Sequence, residues 1–335
     1  MHNALLVGLV VAIALGFDFT NGFHDTANAI ATSVSTHALS PRVAVLLSSI
    51  MNFVGAFVTI KVAATISKGI IDPKAHQITM AMIIAALVGA IVWNLVTWRA
   101  GLPSSSSHAL IGGLVGAGIV GLGFSAIEWK GVVSKMVIPL IVSPLIGFAV
   151  AYVFMLVIYW LFRNARPRPA NRSFRLAQIF SAAFVSFSHG TNDAQKTMGI
   201  ISLALISNGY LRASPFTVPL WVIVAAASAI ALGTYAGGWR IIRTMGTRLY
   251  KIEPAQGFDA QTVAATIIQV ASHFGFPVST THVVTGSILG AGSSQSMSAV
   301  RWGVGINILA AWLITLPMAA LMAGIVYAVL HLFGA

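Results

Sequence analysis

The sequence predicts an all-α integral membrane protein that is built from two homologous halves. Of its 335 residues, 57% are hydrophobic and 8% are charged, and the mean hydropathy is +0.89. A helix that crosses a bilayer needs about 20 mostly apolar residues, and roughly eight to ten segments of the chain meet that requirement. Two pairs of polar motifs also recur along the chain at nearly equal spacing. We therefore expect one membrane-embedded unit without a separate soluble domain.

Charged residues are few and unevenly placed. The net charge is +12, and the seven acids are Asp18, Asp25, Asp72, Glu128, Asp193, Glu253 and Asp259. Lys and Arg concentrate at 163–175 and 240–251, which the positive-inside rule assigns to the cytoplasm. Binding of nucleic acid is the alternative meaning of such basic runs. Beside long apolar helices a signal for membrane topology explains them better, and we expect no nucleic-acid partner.

Composition and motif content exclude several classes of site. The chain has no Cys, which rules out disulfides, thiolate metal sites and cysteine nucleophiles. Residues 1–20 lack a basic start and a small-residue cleavage site, so we interpret them as a retained helix rather than a signal peptide. No nucleophile elbow, P-loop or HExxH motif is present, so we expect no enzymatic activity and no cofactor. An intramembrane hydrolase that uses Ser and His is the remaining enzymatic alternative.

The recurring motifs indicate an internal duplication. GLPSSSSHALIGGLVGAG at 101–118 aligns without gaps on GFPVSTTHVVTGSILGAG at 275–292, and eight of the 18 positions are identical. FTNGFHD at 19–25 aligns on FSHGTND at 187–193. The two spacings, 174 and 168 residues, are nearly equal. The predicted domains are a first transmembrane repeat at 1–163, a basic cytoplasmic linker at 164–173 and a second transmembrane repeat at 174–335.

Each half is predicted to contain four elements in the same order. A helix broken at its Gly-x-x-Asp sequence is followed by a second helix, then by an apolar segment interrupted by a Pro/Ser/Thr-rich turn before a His, and then by a last long helix. In the first half these elements lie near 3–36, 43–70, 76–124 and 133–163. In the second half they lie near 174–208, 215–238, 257–296 and 300–332.

The number of crossings per half decides whether the two halves are inverted relative to each other. A half crosses three times if each Pro/Ser segment is a re-entrant hairpin, and five times if that segment spans. Both odd counts invert the second half, whereas four crossings would give parallel repeats. Charge does not decide, because Lys68 and Lys74 favour the even count and Arg42 and Arg301 favour the odd one. We favour inverted repeats with re-entrant hairpins.

The two Pro/Ser segments are typical of an anion site. Pro103 and Pro277 stop the preceding helix, and the Ser or Thr residues that follow cap the next helix, whose free N–H groups and positive dipole end suit an anion. The alternative is a polar turn, or Ser that only packs helices. Interrupted segments at corresponding positions of two halves favour a transport site near mid-membrane. The candidate substrate-binding residues are Ser105, Ser106, Ser107, Ser279, Thr280 and Thr281.

The duplicated acids form the other part of the predicted site. An intramembrane carboxylate is a functional hypothesis by default. Asp25 and Asp193, with Asn28 and Asn192 nearby, offer hard oxygen ligands for a small cation such as Na⁺, or a proton relay. The alternative is that each Asp only caps a helix.

Five further polar residues lie within or beside the motifs. Lys196 could pair with an acid, meet the anion or extend to the membrane surface. The motif histidines are candidates for proton transfer or for structural hydrogen bonds, and they are His24, His108, His189 and His282.

These motifs resemble those of the inorganic phosphate transporter family, especially its bacterial low-affinity members. The resemblance rests on FDFTNGFHDTANAIATSVSTHALSP at 17–41, FSHGTNDAQKTMGI at 187–200 and the two Pro/Ser/His segments, and it covers both halves. It implies an inverted-repeat, usually dimeric carrier in the cytoplasmic (inner) membrane. It also implies an elevator-like movement and coupling to H⁺, with metal phosphate as cargo in many members, or to Na⁺. We expect no bound metal other than the coupling cation and the divalent metal of such a cargo.

The sequence departs from the pattern of that family in two segments. Its duplicated Gly-Ala-Asn-Asp sequence corresponds to Gly22–Asp25 and Gly190–Asp193, and Phe-His replaces Ala-Asn in the first copy. Eukaryotic members carry a Glu at the position aligned with Ala64. These departures bear on the identity and number of the coupling cations.

The residues and the resemblance lead to one mechanism. Phosphate binds near mid-membrane between the two caps, and Asp25, Asn28, Asn192 and Asp193 hold cations that offset its charge. Coupling follows because an anion without its cation is costly at low dielectric. The alternatives are a carrier of sulfate or another oxyanion and a neutral-solute channel. The acids favour phosphate over sulfate, because protonated phosphate can donate a hydrogen bond to a carboxylate.

Overall fold

A computed structural model describes residues 2–68 and 78–333, and these residues are helical without any β-strand. Residues 69–77, which include Lys74, end the second predicted element and begin the third, and they lie outside the described residues, as do 1, 334 and 335. The α-helices within the described residues are α1 (His2–Ser35), α2 (Pro41–Gly55), α3 (Lys61–Lys68), α4 (Met80–Ala100), α5 (Ser106–Leu122), α6 (Trp129–Val132), α7 (Ile138–Leu161), α8 (Pro167–Ser207), α9 (Leu220–Ala236), α10 (Trp239–Arg243), α11 (Pro254–His273), α12 (Thr280–Gln295) and α13 (Trp302–Leu332).

Local sequence signals place many of the helix ends. Pro occupies the first helical position of α2, α8 and α11, where its missing N–H is not needed. The Thr79 side chain accepts a hydrogen bond from Met82 N and caps α4, and Glu253 forms a capping box with Gln256 at the start of α11. α8 begins at Pro167, inside the segment predicted to be a linker.

The prediction of a first helix broken at Gly-x-x-Asp is wrong in both halves. α1 runs without interruption through Gly22 and Asp25, and α8 runs through Gly190. The glycines serve close packing instead, because a Cβ on Gly22 would collide with the backbone oxygen of Ile230 in α9. A Cβ on Gly190 would likewise collide with the backbone of α2.

The element that breaks in each half is the second helix. Residues 56–60 separate α2 from α3, and Gly237 and Gly238 separate α9 from α10, where the direction changes by 59°. Backbone groups freed at a break need partners within the bilayer. The Gln195 side chain accepts hydrogen bonds from the first N–H groups of α3, and the Thr26 hydroxyl donates to the carbonyl oxygen of Thr234 at the end of α9.

The first helices of the two halves run antiparallel through the middle of the molecule. Thr36, just beyond the end of α1, contacts Gln178 near the start of α8, and Asn21 contacts Asp193 farther along. α4 starts beside the N-terminal half of α1, whereas Gln261 of α11 binds Ser33 near the opposite end. The hairpins α4–α5 and α11–α12 therefore begin at opposite ends of α1. An inverted repeat requires this arrangement, and the inversion itself stays a prediction.

Both hairpins turn inside the molecule. The α4–α5 turn lies beside His24 and Asp25, ten residues before the end of α1, which corresponds to about 15 Å of helix. The last helix of each half packs on the hairpin of the other half, because α13 runs along α4 and α5 while α7 runs along α11 and α12. The Pro/Ser turns are thus enclosed by helices from both halves.

Within the described residues, four helices are long and apolar enough to cross a bilayer: Ala4–Ser35, Met80–Ala100, Ile141–Leu161 and Trp302–Leu332. The bent pair of α9 and α10 makes a fifth if it counts as one span. This number is lower than the eight to ten apolar segments expected, because the breaks and turns divide apolar stretches into short helices. α8, in addition, carries a long series of buried polar residues.

Candidate functional site

The two hairpin turns place helix N-termini at one point in the molecule. The Ser105 hydroxyl accepts a hydrogen bond of 3.2 Å from His108 N at the start of α5, and Ser279 repeats this contact with His282 N at the start of α12. Both serines are buried. The prediction that these segments cap the helices that follow is confirmed for one Ser in each half.

The carboxylate of Asp25 lies between the two hairpins and accepts hydrogen bonds from both. Ser106 donates to its Oδ2 at 3.1 Å, Thr280 to the same oxygen at 3.5 Å and Thr281 to Oδ1 at 3.4 Å. Asn28, one turn along α1, donates to Thr281 Oγ1 at 2.9 Å. The structure therefore brings together three of the six predicted hydroxyl residues with two of the four predicted cation residues.

His24 ties Asp25 to the first hairpin. Its Nδ1 lies 2.6 Å from Asp25 Oδ1, and its Nε2 lies 3.2 Å from the hydroxyls of Thr97 and Ser104. His24 thus holds the Asp25 carboxylate against the turn of α4–α5, which agrees with a supporting role.

Asp193 has an ion-pair partner of its own. Lys196 Nζ lies 2.8 Å from Asp193 Oδ2, and Asn21 donates a hydrogen bond of 3.3 Å to the same oxygen. Lys196 is 1% exposed and Asp193 is fully buried. Of the three roles considered for Lys196, the structure shows pairing with an acid.

His189 lies between the two acids. Its Nδ1 is 2.9 Å from Asn52 Oδ1, while the Asn52 amide donates to Thr234, so the hydrogen-bond network assigns the His189 proton to Nδ1. Its Nε2 faces both carboxylates, 3.9 Å from Asp25 Oδ2 and 3.6 Å from Asp193 Oδ2. Ligand atoms of the three residues lie within 4.8 Å of one another, so they could hold a metal ion.

The two asparagines predicted as cation ligands hold the second hairpin through their amide N–H groups. Asn192 donates to Ser272 Oγ at 2.8 Å and to the Phe276 carbonyl oxygen at 3.2 Å, as Asn28 does to Thr281. The Oδ1 atoms of Asn28 and Asn192 are buried without a hydrogen-bond partner within the described part of the chain. These two oxygens are the atoms that each residue can offer to a cation.

The remaining motif residues join the hairpins to each other. Ser107 donates to the carbonyl oxygen of Val278 at 3.2 Å, and the rings of His108 and His282 lie 4.6 Å apart. Trp312 of α13 stacks on His282 at 3.8 Å and donates to the Pro103 carbonyl oxygen at 2.9 Å. His108 and His282 therefore belong to this contact rather than to the acid cluster around His189.

Sequence reasoning assigned no role to several residues of this centre. Asp18 is fully buried in α1, close enough to Asp193 and Lys196 for their charges to act on it. It precedes Asp25 by two helical turns, a spacing that places both on one face of α1 and could have identified it. Asn21 and Asn52 also carry direct contacts to the predicted site.

Comparison with known proteins gives consistent matches over the whole chain. Residues 21–323 match the sequence model of the phosphate transporter family. A probable low-affinity inorganic phosphate transporter of Rhizobium meliloti is 52% identical over 96% of each chain, and one of Bacillus subtilis is 48% identical over 98% of each. One from Mycobacterium tuberculosis is 51% identical over 98% of this chain and 78% of its own.

One solved structure resembles the fold closely. It is described as the sodium-dependent phosphate transporter, shares 25% sequence identity and superposes with a TM-score of 0.87, covering 98% of this chain and 99% of its own. The all-α membrane architecture and the family resemblance predicted from the motifs are thereby confirmed.

Proposed function

The chain belongs to the phosphate transporter family, and from that premise we propose that it imports inorganic phosphate across the cytoplasmic membrane in symport with a cation. The observation that carries this proposal is the meeting of the two hairpin turns at Asp25. Hydroxyl donors from both halves converge there, beside the N-termini of α5 and α12. Helix N-termini and hydroxyls are the groups that bind a small oxyanion.

Phosphate binds between the caps of α5 and α12, and the candidate ligands are Ser105, Ser106, Ser107, Ser279, Thr280 and Thr281. The hydroxyls that bond Asp25 can turn their hydrogens toward a phosphate oxygen. A protonated phosphate oxygen can also donate to the Asp25 carboxylate, which sulfate, without a proton, cannot do. This pairing gives the site a means to prefer phosphate over sulfate.

The acids make the transport dependent on a cation. Asp25 and Asp193 lie in a buried site, where a phosphate anion beside two carboxylates would be repelled strongly. A proton or Na⁺ held by the acids, with the Oδ1 atoms of Asn28 and Asn192, offsets this repulsion. The cargo can enter as a metal phosphate, because Asp25, His189 and Asp193 offer three ligand atoms to a divalent metal.

Alternating access is proposed as an elevator-like movement of the hairpins, with the two halves arranged as inverted repeats in a homodimeric carrier within the lipid bilayer. The packing supports this proposal. Each hairpin lies against the last helix of the other half, so hairpin and helix can move together as one group that carries the site.

The test is uptake of radiolabelled phosphate into proteoliposomes that contain the purified protein. One set receives an inward Na⁺ gradient and another an inward proton gradient. A relative of known structure is described as sodium-dependent. Saturable uptake driven by one gradient identifies the coupling cation, and a tenfold excess of unlabelled sulfate should leave the uptake unchanged. Absence of saturable uptake under both gradients would contradict the proposed function.

A further inference from the structure

Two exposed cationic residues occupy corresponding places in the two halves. Lys61 is the first residue of α3, and Arg240 is the second residue of α10. Each follows the break in the second helix of its half, and each side chain is exposed. The alignment of the motifs did not single out this pair.

Arg240 lies against the turn of the first hairpin. Its carbonyl oxygen is 3.6 Å from the position that a Cβ on Gly101 would take, and Gly101 begins the turn with a φ of 68°. Four residues along, Thr244 donates a hydrogen bond of 2.8 Å to the Gly101 carbonyl oxygen.

Lys61 repeats this arrangement at the second hairpin. Its carbonyl oxygen is 3.2 Å from the position of a Cβ on Gly275, which begins that turn with a φ of 76°. Thr65, four residues along, donates a hydrogen bond of 2.8 Å to the Gly275 carbonyl oxygen. The same arrangement thus occurs once in each half. A cationic residue and the Thr four residues after it lie against the turn glycine of the other half's hairpin.

The two cations lie on opposite sides of the hairpin turns. α3 runs along α8 past Gly199, toward the N-terminal end of α1, whereas the helix after Arg240 runs along α1 past Ala31, toward its C-terminal end. The Arg-rich start of α8 lies at that second end, because Gln178 contacts Thr36 there. The positive-inside rule therefore assigns Arg240 to the cytoplasmic side and Lys61 to the outer side.

The Arg240 guanidinium is held in place yet keeps donors free. It donates one hydrogen bond of 2.7 Å to the Arg99 carbonyl oxygen and lies 5.5 Å from the ring centroid of Trp98. Trp98 in turn contacts Phe23, the neighbour of His24. A guanidinium has five donors, so others stay available. At the membrane depth of the turn, an exposed charge that faced lipid would be energetically costly. The exposed guanidinium therefore indicates a water-filled passage toward the turn.

From this geometry we propose that Lys61 and Arg240 are initial binding positions for the phosphate anion, one at each entrance to the central site. The proposal rests on the proposed function, because it takes the anionic cargo from there. A cation at the mouth of a low-dielectric passage raises the local concentration of the anion and its rate of entry. When the cytoplasmic entrance is closed, an anion that arrives from the outer side meets Lys61 first. When the outer entrance is closed, an anion that arrives from the cytoplasm meets Arg240 first.

The test measures the KM for radiolabelled phosphate in right-side-out and inside-out membrane vesicles from cells without other phosphate carriers. Lys61→Gln should raise the KM about tenfold in right-side-out vesicles and leave it unchanged in inside-out vesicles. Arg240→Gln should do the reverse. Lys61→Arg and Arg240→Lys should keep the KM near that of the wild type, since each retains the charge.

Ionic strength separates an electrostatic role from a structural one. Added salt should raise the wild-type KM on each side, because it screens exposed charges, and the Gln variants should lose that dependence on their own side. Arg212→Gln is the control for Lys61 and Arg243→Gln the control for Arg240, since each removes an exposed cation from the same side as its counterpart without touching a turn glycine. A KM that is unchanged, or that rises equally in both vesicle types, would overturn the proposal. A wild type that carries no phosphate would instead contradict the proposed function.

Discussion

The hydroxyl of Thr244 donates a hydrogen bond of 2.8 Å to the carbonyl oxygen of Gly101. The two residues belong to different halves of the chain, so the second half holds the hairpin turn of the first. Thr65 and Gly275 form the reciprocal contact at the same distance. Because both turn glycines adopt left-handed backbone conformations, each bond fixes a carbonyl group that no helix satisfies.

Replacement of Thr244 by Val should loosen the first hairpin turn without affecting the second. Val keeps the shape of Thr but cannot donate the hydrogen bond to Gly101, which is worth about 1 kcal/mol, or roughly a fivefold change in local opening. Hydrogen exchange of the backbone amides of residues 101, 102, 104 and 105 should become about five times faster.

Thr65→Val is the matched variant, and it should accelerate exchange at 275–279 only. Equal acceleration in both turns would mean that the two turns open together rather than separately. Unchanged exchange in both variants would show that the threonines do not stabilise the turns.

The fold was predictable where the sequence carries a local signal. α4 and α11 end just before Gly101 and Gly275, which adopt left-handed conformations, and the Ser residues that follow Pro103 and Pro277 cap the next helix. The helix breaks were not predictable, because Gly22 and Gly190 were interpreted as positions where a helix breaks, whereas each accommodates the backbone of a neighbouring helix. Only the partner helix distinguishes those two uses of glycine.

The centre of the site was predictable because it is duplicated. Asp25 and Asp193 stand at matching positions, and the two caps converge on Asp25. Asn52 was not predictable, since it has no counterpart in the aligned motifs and its partner, His189, lies 137 residues away. A single polar residue in an apolar helix gives no sign of which distant group it will bond.

Gly22→Ala should destabilise the protein, whereas Gly8→Ala on the same helix should not. A Cβ at position 22 would collide with the Ile230 carbonyl oxygen, and overpacking of this kind costs about 1–3 kcal/mol. Position 8 has no atom within 4 Å, and Ala there gains helix propensity of about 1 kcal/mol. Thermal unfolding in detergent should give a lower Tm for the first variant and an equal or higher Tm for the second. Equal values would contradict the close packing of α1 on α9.

Asp25→Asn should abolish most phosphate transport while leaving the fold intact. Asn keeps the size of Asp but removes the charge that the hydroxyls of Ser106 and Thr281 now bond, a loss of about 3 kcal/mol or roughly 100-fold. The initial rate of uptake into proteoliposomes measures this change.

Asp259→Asn is the control for that measurement, because Asp259 is a buried acid of α11 outside the hydroxyl cluster around Asp25. Proteoliposomes with Asp259→Asn should take up phosphate at the wild-type rate, and the Tm of Asp25→Asn should stay close to that of the wild type. Normal uptake by Asp25→Asn would remove this carboxylate from the transport site.

Lys196→Met should lower the stability of the protein more than any exposed lysine variant. Lys196 is 2.8 Å from Asp193, and removing one partner of a buried ion pair leaves an uncompensated charge that costs about 3–5 kcal/mol. The double variant Asp193→Asn with Lys196→Met should recover much of that loss, because neither charge then remains buried. Thermal unfolding of Lys196→Met, Asp193→Asn and the double variant, with Lys61→Met as the exposed control, measures the coupling between the two residues. Additive losses would show that Asp193 does not depend on Lys196 and relies on its other contacts, Asn21 at 3.3 Å and His189 at 3.6 Å.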